Sequence, residues 1–384
     1  MVMHKNFHET MAIKHKVPDG YLKLCFTHNK TNIYHLKKEN LIANNTVLNV
    51  SLFPSYIEPQ FSNSNAIDVV KIPQKKIIGY AVLIKNHPDL ETLFKVEYKK
   101  NFRANILRFV NRFESCFNAN YKLFYGDIMK EEYLFLMNTL HNMLTARFHQ
   151  RNDSNKVLAN WNSYLDSTND LIKEKKASLF VIYNNTTPVH ICLNHHFNNI
   201  LFVSVPSYDI NYSKFALGNV SLYKLLEWSV NNRYQIMDMA QGYLEYKRRW
   251  SNLIYDFEHH IIYPNKNTIN KFLAKIEIQK LHFKNYLKSK NIDDLVENIK
   301  KRLKKNATYT EDLLYEFDTV ELSNSNATTN ITINSHTFNK IIKPINDFLY
   351  THKEHLDDLK VFELIKEKEY ILQGKGMIQK LYLK

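Results

Sequence analysis

Ala177-Ser178-Leu179-Phe180-Val181-Ile182-Tyr183, Val189 to Phe197 and Ile200 to Tyr208 are three apolar runs, separated only by Asn184-Asn185-Thr186-Thr187-Pro188 and Asn198-Asn199. Runs of ~5–8 residues joined by short polar connections predict an antiparallel meander, because parallel neighbours need long crossovers. After Pro206 the period changes from about two to about 3.6 residues. Leu222, Leu225, Leu226 and Val230 then share one helical face, Asn231-Asn232 stops the helix, and Tyr234 to Met239 resumes as strand. This segment is long enough to cross over to a parallel neighbour.

The helix of that crossover opens on Leu217, Gly218, Asn219, Val220 and Ser221. Backbone N–H groups at a helix N-terminus, with the positive end of the dipole behind them, hold a pyrophosphate, and a glycine lets the ligand approach the main chain. A lone glycine at such a position is also an ordinary helix boundary. The fourth strand ends in Asp238 to Gly242, and Tyr243-Leu244-Glu245-Tyr246-Lys247 follows, with Trp250 beyond.

In this order of elements the chain resembles the acetyltransferase-like domain of the GNAT superfamily, in the subgroup related to bacterial Fem-type transferases. The resemblance rests on Ser207-Tyr208-Asp209 with Phe215-Ala216-Leu217-Gly218 before the helix, Asp238 to Gly242 after the fourth strand, and Tyr246-Lys247 followed by Trp250. It extends upstream: Lys99 to Arg108 resembles the basic start of the linking helix in Fem-type proteins, and Tyr133 to Arg151 the helix after it. The superfamily's fuller phosphate loop, Gln/Arg-x-x-Gly-x-Gly/Ala, is reduced here to a single glycine. The resemblance implies an α+β fold, a GNAT-like mixed sheet flanked by helices, preceded by a degenerate second copy and followed by a C-terminal helical extension. It also implies acetyl-CoA or a longer acyl-CoA as co-substrate and an amine of a small molecule, amino sugar or lipid precursor as acceptor.

Acyl transfer from a thioester to an amine needs a base for the amine, stabilisation of the oxyanion and a proton for the departing thiolate. Asp238 and Glu245 are the candidate bases, Tyr246 the candidate acid for the thiolate, and Lys247 the candidate partner of a phosphate or carboxylate. Each has a structural reading beside the catalytic one. Asp238 can end a strand, Glu245 can pair with Lys247 or Arg248, and Tyr246 can pack half-buried.

The chain has 384 residues, 44% hydrophobic and 13% aromatic, enough for one large or two moderate cores. Cys25, Cys116 and Cys192 are odd in number and set in apolar surroundings, which predicts buried, reduced thiols in a cytoplasmic protein. No run reaches the ~20 apolar residues of a membrane span. The pairs His195-His196 and His259-His260 lie in strand-like runs, where neighbours point to opposite faces, so neither pair chelates a metal, and no metal is expected. The formal charge of +14 admits weak contact with an anionic membrane or RNA, including a peripheral position at the inner face of a membrane, although a lysine- and asparagine-rich composition raises the charge without any binding site. Two alternatives follow: a Fem-type transferase drawing on aminoacyl-tRNA, and a non-catalytic binding module on the same fold.

The remaining patterns divide the chain into five stretches. Residues 1–98 read as a mixed or antiparallel sheet, with strands at Tyr21 to Phe26, Val47 to Phe53, Asp68 to Ile72 and Ile77 to Ile84. Residues 99–265 hold the helical linker and the core, with a strand at Tyr255 to Tyr263 ended by Pro264. Residues 266–320 read as a basic helical region, 321–335 as a Ser/Asn/Thr linker, and 336–384 as a C-terminal helical segment. Glycine is scarce, at seven in the chain, so turns are expected to use Asn and Asp.

Overall fold

The computed structural model describes residues 1–36, 46–62, 64–85, 87–151, 156–242, 244–291, 314–319, 329–330, 338 and 340–384. The first described elements are β1 (Val2–Asn6), a π-helical turn (Glu9–Ile13), β2 (Tyr21–Phe26), β3 (Asn32–His35), β4 (Val47–Pro54), β5 (Ile57–Phe61) and β6 (Ile67–Leu83). Then come α1 (Leu90–Glu97), α2 (Lys100–Cys116), β7 (Ala119–Phe124), α3 (Lys130–Arg151), α4 (Lys156–Ala159), α5 (Trp161–Lys173), β8 (Ala177–Asn184), β9 (Thr187–Phe197) and β10 (Ile200–Tyr208). A 3-10 turn (Ile210–Phe215) leads into α6 (Leu217–Asn231), β11 (Ile236–Gln241), α7 (Glu245–Trp250), β12 (Leu253–Pro264) and α8 (Thr268–Ser289). The last are β13 (Tyr315–Thr319), β14 (Thr329–Asn330), α9 (Ile342–His352), β15 (Lys360–Ile365), β16 (Glu369–Gln373) and β17 (Ile378–Leu383).

The described residues of 1–88, 194–204 and 229–306 make one compact unit. Its large sheet has the order β1-β4-β12-β6-β11-β10-β9. Parallel pairs join β1 to β4 and β10 to β11, while β12 runs antiparallel to β4 and β6, and β6 antiparallel to β11. The parallel neighbour expected across the α6 crossover is therefore present, with Ile200 opposite Ile236. A small antiparallel sheet, β3-β2-β5, stands beside it. Phe7, Tyr21, Phe26, Phe53, Phe202 and Phe257 are buried in its main core, and α8 packs Ala274 and Leu281 against Val47, Ile72 and Ile261.

The second unit takes the described residues of 89–193, 205–228 and 307–384. Here the order is β10-β9-β8-β7, and β7 pairs antiparallel with β8. Leu136, Met137 and Leu140 of α3 pack with Leu179, Val181 and Ile191 of the sheet, and Ile172 of α5 joins them. The meander turns tightly at Asn185 (φ 52°) and Asn198 (φ 48°). Left-handed backbone costs Asn less than most other non-glycine residues, which is how a chain poor in glycine closes these hairpins. Every residue of β8 is buried, so both faces of that strand are covered.

Four sequence expectations change. The segments at 68–72 and 77–84 are one strand, β6, because a register shift against β12 between Asp256 and Glu258 carries the ladder from Pro73 across residues 74–77 to Ile78. The strand β7, with its alternating burial, lies between the two predicted helices of the linker. Residues 1–98 do not close on themselves, since 1–88 share a compact unit with 194–204 and 229–306, and the boundary near residue 265 is not a unit boundary either. The C-terminal stretch is not helical throughout. α9 is its described α-helix, and β15, β16 and β17 join β13 and β14 in a sheet of order β13-β17-β16-β15-β14. Val361, Tyr370, Ile371, Leu372 and Leu381 are the residues buried on β15, β16 and β17, three of them consecutive on β16, so no alternation marks them in a charged stretch. The run Lys300 to Lys305 and most of the 321–335 stretch lie outside the described residues.

Candidate active site

In the second unit the chain leaves β10 through Asp209, whose Oδ1 accepts from the Asn211 N–H at 3.0 Å, and reaches α6 by way of Ala216 at φ 53°. Leu217, Val220 and Ser221 are buried, so of the five expected cofactor contacts only Gly218 and Asn219 are partly exposed. The N–H groups of Asn219 and Val220 turn back to the Ala216 carbonyl at 2.7 and 3.4 Å. A Cβ built on Gly218 meets nothing within 4 Å, and its backbone is not left-handed. Neither conformation nor packing requires glycine there, although alanine would favour the helix by roughly 0.5–1 kcal/mol.

In the first unit the β10–β11 ladder ends at Phe202 opposite Asp238, although β10 continues to Tyr208 and β11 to Gln241. On its other edge β11 shifts register against β6 between Asp238 and Gln241. Ala240 there has φ 57°, and Gly242 follows at 127°. The strand thus bends where its parallel neighbour stops pairing. Lys247, one turn into α7, holds the bend by donating from Nζ to the carbonyls of Met239 (2.6 Å) and Gln241 (2.8 Å).

Asp238 is fully buried. Its carboxylate accepts the Tyr56 hydroxyl at 2.7 Å, the Tyr255 hydroxyl at 2.8 Å and the Ala240 N–H at 2.6 Å. Burial, reinforced by the negative charge of Asp238, pushes both phenols well above their usual range, so they remain protonated donors. Burial also lowers the Lys247 ammonium, against the opposing pull of Asp238. The ring of His8 meets Phe202 edge-on, with centroids 5.1 Å apart, beside the last rung of the ladder. Its Nε2 is buried without a hydrogen-bond partner, and burial lowers its pKa below 6.5 although Asp238 opposes the shift.

The structure therefore brings Asp238 and Lys247 together and leaves Glu245 apart. Glu245 is exposed in the first turn of α7 and pairs with Arg249 at 3.3 Å, an i,i+4 contact that does not bear on the buried carboxylate. Tyr246 is half-buried on the same helix. Sequence reasoning missed His8, Tyr56 and Tyr255, which reach Asp238 from distant segments and carry no local motif. Among the described residues no group of three or more His, Cys, Asp or Glu could hold a metal ion. Cys25, Cys116 and Cys192 form no disulfide and are buried, and burial raises the thiols of Cys116 and Cys192.

Residues 100–248 match the family model of an acetyltransferase (GNAT) domain. No curated protein matches the chain. Among solved structures, FemX is similar at 6% identity over 59% of this chain and 74% of that one, with a TM-score of 0.41. L-PGS from Bacillus licheniformis is 10% identical over 59% of this chain and 71% of that one, TM-score 0.36. A GCN5-related N-acetyltransferase from Sphaerobacter thermophilus is 10% identical over 56% and 60%, TM-score 0.28. The family match makes residues 100–248 similar to an acetyltransferase domain of the GNAT kind, in keeping with a mixed sheet whose parallel strands β10 and β11 are connected through α6.

Proposed function

We propose that the protein is an acyl-CoA-dependent N-acyltransferase that moves an acetyl or longer acyl group to an amine by direct attack on the thioester. The observation that carries this reading is the end of the β10–β11 ladder at Phe202 and Asp238. Past that rung β10 loses β11 as a main-chain partner, whereas on β11 the Met239 and Gln241 carbonyls are already held by Lys247 and the Ala240 N–H by Asp238, so the facing edge of β10 is what needs a partner. The pantetheine arm of coenzyme A, with two amides, supplies partners of that kind. Gly218 in the first turn of α6 is a separate expectation for the donor: no packing or conformation requires glycine there, although the Asn219 and Val220 N–H groups are already turned to the Ala216 carbonyl.

His8 is the base in this reading. Its neutral imidazole takes the proton of the acceptor ammonium, the freed amine attacks the thioester carbonyl, and the tetrahedral intermediate collapses with loss of the coenzyme A thiolate. Tyr246 gives that thiolate its proton, and the surplus proton that the attacking nitrogen sheds as the amide forms restores the phenol. Asp238 is an electrostatic anchor, and Lys247 holds the β11 bend, so neither is assigned a proton transfer.

Titration calorimetry of the full chain with acetyl-CoA and longer acyl-CoAs tests the donor. Micromolar binding that releases on acylation of an amine supports it, whereas no heat with any acyl-CoA sinks it. A filter-binding arm with charged tRNA separates the Fem-type alternative, since phosphate contacts make binding fall steeply with salt. Folded protein that binds acyl-CoA and never turns over returns the chain to a binding module.

A further inference from the structure

Helix α8 has two apolar faces. Ala274 and Leu281, with Asn270 and Glu277, are buried on the side turned to its sheet. Ile269, Phe272, Ile276, Phe283 and Tyr286 are exposed, Phe272 at 64% and Phe283 at 62%. At 3.6 residues per turn these five fall within an arc of about 100° on the side away from the core. Lys271 and Lys275 border that arc on one side, and Lys280 and Lys284 border it on the other, all exposed. Glu277 is the sole acid in Thr268–Ser289, and it is held in the buried face by Asn49 at 2.8 Å.

An exposed apolar stripe of this length on a water-facing helix marks a covered surface. We propose that the outer face of α8 lies on an anionic lipid bilayer, with its phenylalanines and isoleucines in the headgroup boundary and its lysines reaching the lipid phosphates. The charge pattern selects this occupant. A second copy of α8 would set lysine border against lysine border, the like-charge arrangement that opposes helix pairing. RNA would use the lysines and stack on aromatic rings, leaving Ile269 and Ile276 unused. Long lysine stems keep their charges at the interface while the stripe beneath them is buried, the composition of helices that lie in a membrane plane. No described helix is long and apolar enough to cross a membrane, so α8 lies on the surface. This inference does not rest on the acyl-transfer reading.

Flotation of the full chain with vesicles of phosphatidylcholine alone, and of phosphatidylcholine mixed with phosphatidylglycerol, tests it. Flotation with the mixed vesicles only, weakening with salt, is expected. F272S with F283S, both at exposed positions, is expected to weaken binding by about tenfold or more while the melting temperature holds. K275E with K284E is expected to abolish flotation. In a second measurement, F272W should shift its emission to the blue on adding mixed vesicles. Folded wild-type protein that does not float overturns the proposal, as does flotation unchanged in the serine variant. A dimer at sedimentation equilibrium that the serine variant dissolves, without vesicle binding, overturns it in favour of a second copy. RNA binding lost in that variant, again without vesicle binding, overturns it in favour of nucleic acid.

Discussion

A buried imidazole nitrogen without a hydrogen-bond partner costs roughly 1–3 kcal/mol, so the placement of His8 beside Asp238 and Phe202 calls for a use. If His8 is the base, His8→Gln lowers kcat by about 10²–10⁴-fold and leaves the KM for acyl-CoA nearly unchanged. The pH profile gives an independent check. Burial depresses His8 below 6.5, so the neutral, competent form prevails above that lowered value and activity falls as pH drops through it. The glutamine variant should lose that acidic limb, and a limb that persists would assign it to another group. Tyr246→Phe should slow the chemical step by about 10²–10⁴-fold with coenzyme A affinity kept, because only the hydroxyl is removed. Asp238→Asn behaves differently, removing the charge to which Tyr56 and Tyr255 donate and which opposes the burial shift of Lys247. It should cost about 3–5 kcal/mol in urea unfolding, and a loss of activity without loss of stability would show that Asp238 acts in chemistry instead. At this scale the nearness of Asp238 and Lys247 was legible because they share one stretch of chain. The pairing of Glu245 was not legible: a carboxylate two residues from Lys247 on α7 pairs with Arg249 instead.

At the scale of elements, two glycines separate packing from ligand access. A Cβ on Gly79 of β6 would fall 2.1 Å from Cζ of Tyr255, so this glycine exists for the ring laid across it. Gly79→Ala should force the ring off the strand, weaken its hydrogen bonds to Asp238 and cost about 1–3 kcal/mol in unfolding free energy. Gly218 is the opposite case, with open space above it. Gly218→Ala should leave the fold as stable or more stable by roughly 0.5–1 kcal/mol. Gly218→Val should raise the KM for acyl-CoA with less effect on turnover at saturation. Unchanged cofactor kinetics in the valine variant would remove the first turn of α6 from the site. The meander and the crossover were readable because hydrophobic period and Asn turns agree over 177–241. The joining of β6 into one strand was not, because the polar run Gln74 to Lys76 has no local sign of strand, and its continuity depends on a bulged partner far along the chain. The C-terminal strands were hidden by charge: β15 and β17 each bury a single residue, Val361 and Leu381, so no alternation reveals them.

For the whole molecule, the two compact units are each assembled from separated stretches, which composition and local patterning cannot foresee. One consequence of how much strand is covered on both faces is a set of buried histidines in β9. Burial brings His190, His195 and His196 down to about 3 from 6.5, with Arg147 adding to the effect on His190 and neighbouring histidines adding to it on the others. The three rings are therefore neutral in the native protein at any pH above about 4. In the unfolded chain they take up protons near 6.5, so the unfolded state binds more protons throughout the window between about 3 and 6.5. Stability therefore declines as pH falls from 6.5 toward 3, and these groups contribute no pH dependence well above 6.5. His190 offers the cleanest test, because both its ring nitrogens are buried with no hydrogen-bond partner, and a leucine there removes the titrating group without stranding another. His190→Leu should flatten the fall of the urea midpoint between pH 6.5 and 4 and leave the midpoint at pH 8 unchanged or raised. A slope equal to that of the wild type would mean that His190 is not held neutral in the fold.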